Sequence, residues 1–174
     1  MLSKKVGKHE ISILKGRITT DSYEETIKKL SIVPQKQFTQ LAPLRVVAGE
    51  NHILFALEHT FSAFENKTAF AKKPELEFII RLLAEKQLNK ALEKAKFKKG
   101  ENLLLVVGSQ NKKVIGETKT TLGFEEKEFS LGENKKGLME LFKVSEGEIK
   151  ALGDLQNPLE ELIIERVSFV ALER

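Results

Sequence analysis

The chain has 174 residues, 41% of them hydrophobic and 31% charged, with a net charge of +4 and no cysteine. That composition supports a packed core under a solvated surface and excludes wholesale disorder. The missing cysteine excludes disulfides, thiolate metal sites and cysteine nucleophiles. The opening MLSKKVGK is polar and unlike a secretory signal, and no apolar run approaches the ~20 residues that span a bilayer. A soluble, cytoplasmic protein with no membrane partner is the expectation.

In chain order, HEISILKGRI (His9 to Ile18) alternates and is rich in β-formers, so it reads as a strand. Ser22 and Glu25 make a capping box that opens a short helix. APLRVVAG reads as a second strand closed by Gly49. From Glu50 the apolar residues Ile53, Leu54, Leu57, Phe61 and Phe64 recur at helical spacing. Pro74 then opens another helix at the position where its missing N–H costs nothing. A break near Lys86 and Gln87 separates it from the helix LNKALEKAKF.

ENLLLVVGS (Glu101 to Ser109) reads as a strand buried on both faces. A helix is expected near Asn111 to Leu122, a strand near Glu126 to Leu131 and a helix near Lys135 to Phe142. Ser145 and Glu148 form a second capping box, and Asn157 with Pro158 opens the last helix. VSFVALE is β-branched and aromatic enough to predict a terminal strand. The expected fold is therefore one α+β domain over residues 1–174, with a small sheet of three to four strands and six or more helices packed around it.

A search for catalytic chemistry returns little. His52 and His59 are seven apart on one helix, about two turns, and miss the i, i+4 spacing of helical metal pairs. No phosphate-binding glycine motif or nucleophile elbow occurs. Neither enzyme, cofactor nor metal is expected.

Charge is more informative. Lys67 to Lys99 holds ten basic residues against four acidic ones, a local +6 that leaves −2 for the rest. A concentrated excess suits a polyanion, because each lysine near a phosphate releases counterions. It also suits an ordinary solvated lysine face. In the helix after Pro74 the apolar arc covers about 240°, leaving a narrow stripe of Glu77, Arg81 and Glu85. Arg81 lies four residues from each glutamate, which allows surface i, i+4 pairs or a grip on a phosphate or base.

The segment NHILFALEHTFSAFENKTAFAKKPELEFIIRLLAEKQLNKALEKAKFKKGENLLLVV resembles the small regulatory subunit of the KEOPS (EKC) complex, the PRPK-binding protein family, in its archaeal form. The resemblance rests on the order of His52, the lysines from Lys67 to Lys73, Arg81, Ala84, Gln87 with Leu88, and the strand Leu103 to Val107. It is strongest from Asn51 to Val107 and returns in the final ERVSFVALER. Two departures are Ala84, where many members carry glycine, and the bulky Leu82 and Leu83 after the arginine.

The resemblance implies a non-enzymatic subunit. It would bind and stimulate the complex's small atypical kinase/ATPase and meet the rest of KEOPS indirectly. It would also recruit tRNA by the single-stranded 3′ CCA end for threonylcarbamoyl modification of the adenosine beside the anticodon. On this reading Lys67, Lys72, Lys73, Lys86 and Lys90 contact phosphate, Gln87 joins them, and Arg81 and His52 lie nearer the CCA bases. Arg81 would be balanced by Glu77 and Glu85 yet open to the RNA end. The kinase surface is assigned to the last strand, Phe169, Val170, Ala171 and Leu172, because apolar residues on both its faces exceed what one core face requires. Two other readings are a helix-turn-helix DNA-binding regulator over Glu75 to Phe97 and a nucleotide-using enzyme with a site near Gly108 to Lys113.

Overall fold

The structure, a computed structural model, describes residues 1–33, 37–153 and 155–172, with side chains through 170. Among the described residues are eight α-helices and one five-stranded antiparallel sheet, an α+β fold as predicted. The chain divides into two compact units: Met1–Pro43 with Lys96–Phe129, and Leu44–Ala95 with Ser130–Arg174.

The first unit holds the sheet. Its strands β1 (Leu2–Val6), β2 (His9–Ile18), β4 (Asn102–Val107) and β3 (Thr39–Pro43) lie in that order, with β5 (Phe124–Glu126) beside the far end of β2. Register places Leu14, Leu105 and Leu41 in one row, and these join the core formed with α1 (Tyr23–Ile32) and α5 (Lys112–Leu122). Leu104 and Val106 point to the opposite face and are equally buried, so the central strand is apolar on both faces from Leu103 to Val107. Gly16 admits the β5 edge: a Cβ there would lie 2.2 Å from the Glu125 carbonyl oxygen and 2.6 Å from the Phe124 ring. Both arms of the Ser22–Glu25 capping box are made at the start of α1.

The second unit holds α2 (Glu50–Glu65), α3 (Pro74–Leu82), α4 (Leu88–Ala95), α6 (Lys135–Phe142), α7 (Glu146–Ala151) and α8 (Pro158–Leu172). Its core gathers Ala48, Leu138, Phe142, Val144, Leu159, Leu162 and Ile163. Pro74 occupies the first turn of α3, and the Ser145–Glu148 box caps α7.

Three expected strands need correction. Leu44–Val46 is a 3-10 turn, and the strand lies just upstream at β3. The expected strand from Glu126 to Leu131 reduces to β5, which ends at Glu126. Of the terminal VSFVALE, Val167 to Leu172 is the end of α8, and Glu173 lies outside the described residues. Along α8, Leu159, Leu162, Ile163, Val167 and Val170 are the buried apolar residues, on one face of the helix, and that helical period overrides the local β preference. β1 was not expected at all; its five residues pair with β2 across the turn at Gly7, which has φ +58°.

The end of α3 closes in a tight hydrogen-bonded turn. Ala84 N–H donates to the Arg81 carbonyl at 3.1 Å and Glu85 N–H to that of Ile80 at 3.0 Å, a Schellman turn. Such a turn places Ala84 at φ +46°, a left-handed conformation that favours glycine. Ala84→Gly should therefore raise stability by roughly 1 kcal/mol, less glycine's extra unfolded-state freedom. A urea midpoint above that of the wild-type chain checks this; a lower midpoint contradicts it.

Candidate functional site

All the residues assigned to RNA or kinase contacts fall in the second unit. Helix α2 has Gly49 at its N-cap and no capping side chain of its own. The cap comes from α8: Glu160 is buried, and its Oε1 accepts the His52 backbone N–H at 2.9 Å while Oε2 accepts from Asn157 Nδ2 at 3.0 Å. A carboxylate at a helix N-terminus offsets both unpaired donors and the helix dipole. Gly49 makes room for it, since a Cβ would stand 2.3 Å from Glu160 Oε1.

His52, on the first turn of α2, is fully buried. Its Nδ1 accepts from the Ala48 N–H at 3.2 Å, so the proton sits on Nε2, which donates to the Leu82 carbonyl at 2.9 Å. Its ring meets Phe142 edge-on at 5.6 Å. The imidazole thus links the entry of α2 to the exit of α3, with both nitrogens engaged, and presents nothing to a bound base. Burial lowers its pKa from 6.5 to about 4.

Arg81 is also inside, at 3% exposure, and Glu77 at 0%. The expected surface triplet is therefore corrected. Arg81 Nε and Nη2 hold Glu77 Oε1 at 2.8 and 2.7 Å. Glu85 pairs instead with Lys94 at 2.8 Å, which holds its carboxyl below the usual value. The wheel placed Glu77 and Arg81 on a polar stripe but could not show that the preceding loop folds over it. Glu77 Oε2 accepts from the Phe70 and Ala71 N–H groups at 2.8 and 2.9 Å, and the Arg81 guanidinium lies 5.1 Å from the Phe70 ring centre. These loop contacts are what bury the stripe.

The loop itself carries Lys67, Lys72 and Lys73, all exposed, and Phe70 at 36% exposure. Lys67 stands at φ +55° in a second Schellman turn, with Thr68 N–H on the Ala63 carbonyl at 2.7 Å. On α2, Phe55 and His59 stack at 4.3 Å, and burial followed by the Arg81 charge lowers the His59 pKa. No sequence signal singled out Phe55, Phe70 or His59 as partners in this cluster.

Gln87 and Lys90 are exposed and Lys86 is half-buried at the turn into α4. Lys86 and Gln87 line a cleft of about 430 Å³ together with Phe169 and Val170, joining residues assigned separately to RNA and to the kinase. Its floor includes Leu83, Leu141 and Phe142, and Lys94, Lys143 and Arg166 add positive charge. Phe169 is 45% exposed and Val170 5%. The side chains of Ala171 and Leu172 lie outside the described residues. Arg166 bonds Glu148, whose pKa falls to about 2 through its Ser145 backbone and side-chain bonds and then Arg166.

The alternative sites look structural. Near Gly108 to Lys113, Asn111 caps α5 by accepting from the Lys113 N–H at 2.9 Å, and the Gly108 N–H donates to the Phe38 carbonyl. For a helix-turn-helix, α3 is buried from Glu77 to Leu82 and α4 has eight residues. Among the described residues there is no cluster of histidine and carboxylates able to hold a metal, and no helix long and apolar enough to cross a membrane.

Because His52 is neutral when folded and gains a proton when unfolded, its contribution is intact above pH 6.5 and declines as pH falls toward 4. The loss should reach roughly 3 kcal/mol across that window. His52→Gln keeps a donor and an acceptor without titrating, so its urea stability should lack that slope; parallel pH profiles for the two proteins would contradict the assignment.

No curated protein matches the chain. A family model described as kinase binding protein CGI-121 matches residues 19–170, well beyond the span that carried the resemblance. With this match over most of its length, the chain belongs to the CGI-121 family of kinase binding proteins.

Proposed function

We propose that this protein is the non-catalytic subunit of the KEOPS complex that binds and activates the complex's small atypical kinase/ATPase and recruits tRNA through its 3′ CCA end. Family membership supports the kinase half. The observation that carries the RNA half is the exposed loop bearing Lys67, Lys72 and Lys73 beside the Phe70 ring. Lysine heads hold phosphates without reading sequence, and an accessible ring gives an unpaired base a face to stack on. Lys86, Gln87 and Lys90 extend the same charge toward α4. Threonylcarbamoyl-adenosine formation in the cytoplasm is the process the subunit serves.

Kinase docking is assigned to the cleft at the end of α8. Phe169 stands partly exposed at its rim over an apolar floor, and a large ring half out of water is the kind of anchor a protein partner buries. Val170, nearly buried, lines the same cleft beside Phe169.

Two measurements test these halves separately. Full-length tRNA should bind more tightly than tRNA lacking CCA, with an affinity that falls steeply with salt. Equal affinity for both, or no binding, contradicts the RNA half. Phe169→Arg should weaken binding of the purified kinase at least about tenfold without altering the circular dichroism spectrum; an unchanged affinity places the kinase elsewhere.

A further inference from the structure

The segment between α2 and α3 has no regular secondary structure. For its lysines to present a fixed charge pattern, something must hold its backbone. Glu77 does this with one oxygen: Oε2 accepts the consecutive N–H groups of Phe70 and Ala71. Its other oxygen is held by two nitrogens of Arg81. Arg81 in turn lies over the Phe70 ring. The loop is thus gripped twice, by its backbone through Glu77 and by its aromatic side chain through Arg81.

The arrangement is a costly way to fill a core. Both side chains are ionic and buried, and Arg81 Nη1 has no hydrogen-bond partner among the described residues. An apolar pair of similar volume would serve stability as well or better. What the apolar pair would lack is an acceptor for two backbone N–H groups, and that acceptor is what fixes the lysine loop.

We propose that Glu77 and Arg81 are positioning residues for RNA binding: together they strap the Lys67–Lys73 loop in place, and Arg81 acts through Glu77 and Phe70 without touching the RNA. This rests on the reading of that loop as the RNA surface. It replaces a direct arginine contact with an indirect one.

The test compares two double variants, because a single change would leave a buried charge unpaired. Glu77→Leu/Arg81→Met removes both charges and the acceptor. Glu77→Gln/Arg81→Met removes both charges but keeps a carbonyl oxygen for the loop N–H groups. Thermal melting first confirms that each is folded at the assay temperature.

Limited trypsin digestion reads the strap without RNA, through cleavage after Lys67 and Lys72; Pro74 shields the bond after Lys73. Titration with a labelled single-stranded RNA ending in CCA, over a salt series, reads the binding. The Leu/Met variant should be cleaved faster in the loop. It should also bind RNA roughly five- to tenfold more weakly, with a shallower salt slope, since each lost phosphate contact removes about 0.7 from it. The Gln/Met variant keeps the backbone grip and loses only the Arg81–Phe70 contact, so it should fall between the wild-type chain and Leu/Met in both assays.

Wild-type protection and binding in the Leu/Met variant would overturn the proposal. So would a Gln/Met variant that resists trypsin yet binds RNA as weakly as Leu/Met, which would make Arg81 a direct contact. Failure of the wild-type chain to bind the RNA overturns the RNA reading itself, and the trypsin comparison still reports whether Glu77 holds the loop.

Discussion

A neutral imidazole buried between two helices constrains the whole helical unit. His52 can satisfy the Ala48 N–H and the Leu82 carbonyl together only as the Nε2-protonated tautomer. That fixes where α2 begins relative to where α3 ends. Its own backbone N–H is held by Glu160, which ties α8 to the same point and leaves space only for glycine at position 49. Unpaired buried polar groups cost about 1–3 kcal/mol each, so these bonds act as a set. With the exit of α3 fixed, the Schellman turn at Ala84 follows, and with it the path of Lys86 and Gln87 into the cleft beside Phe169.

Charge in this unit is sorted by depth. Glu77 and Arg81 are buried and neutralise each other, and Lys94 is engaged by Glu85. Between Lys67 and Ala95 the exposed lysines are Lys67, Lys72 and Lys73 of the α2–α3 loop and Lys90 of α4, while Lys135, Lys136, Lys143 and Lys150 are exposed elsewhere in the unit. A local positive excess read along the chain thus becomes two different things in space: buried charges that shape a loop, and exposed charges able to meet a polyanion. Kinase binding calls for a partly apolar face, which the cleft has, and the proposed RNA role calls for a basic one, which the loop has.

Elements with chemical punctuation were legible in the sequence. The capping boxes at Ser22 and Ser145, the proline at 74, and the apolar run from Leu103 to Val107 all mark elements found where expected. Local chemistry decides those features, so local sequence reveals them. The terminal helix was misread because Val167, Phe169 and Val170 favour strands individually, while the spacing from Leu159 onward favours a helix. Arg81 was misread for a different reason. Helical periodicity reports which residues share a stripe, but an irregular loop folding over that stripe leaves no periodic signal. The order of residues that carried the family resemblance, in contrast, spans both loop and helices and identified the family that the match over residues 19–170 shows.

Hydrogen exchange of the full chain, measured alone, with the purified kinase and with full-length tRNA, tests most directly the claim that one helical unit offers two faces. The account predicts that the kinase slows exchange at the end of α8 around Phe169, while tRNA slows it in the loop from Lys67 to Lys73. Protection by tRNA confined to the sheet unit, or kinase protection that spares α8, would contradict it.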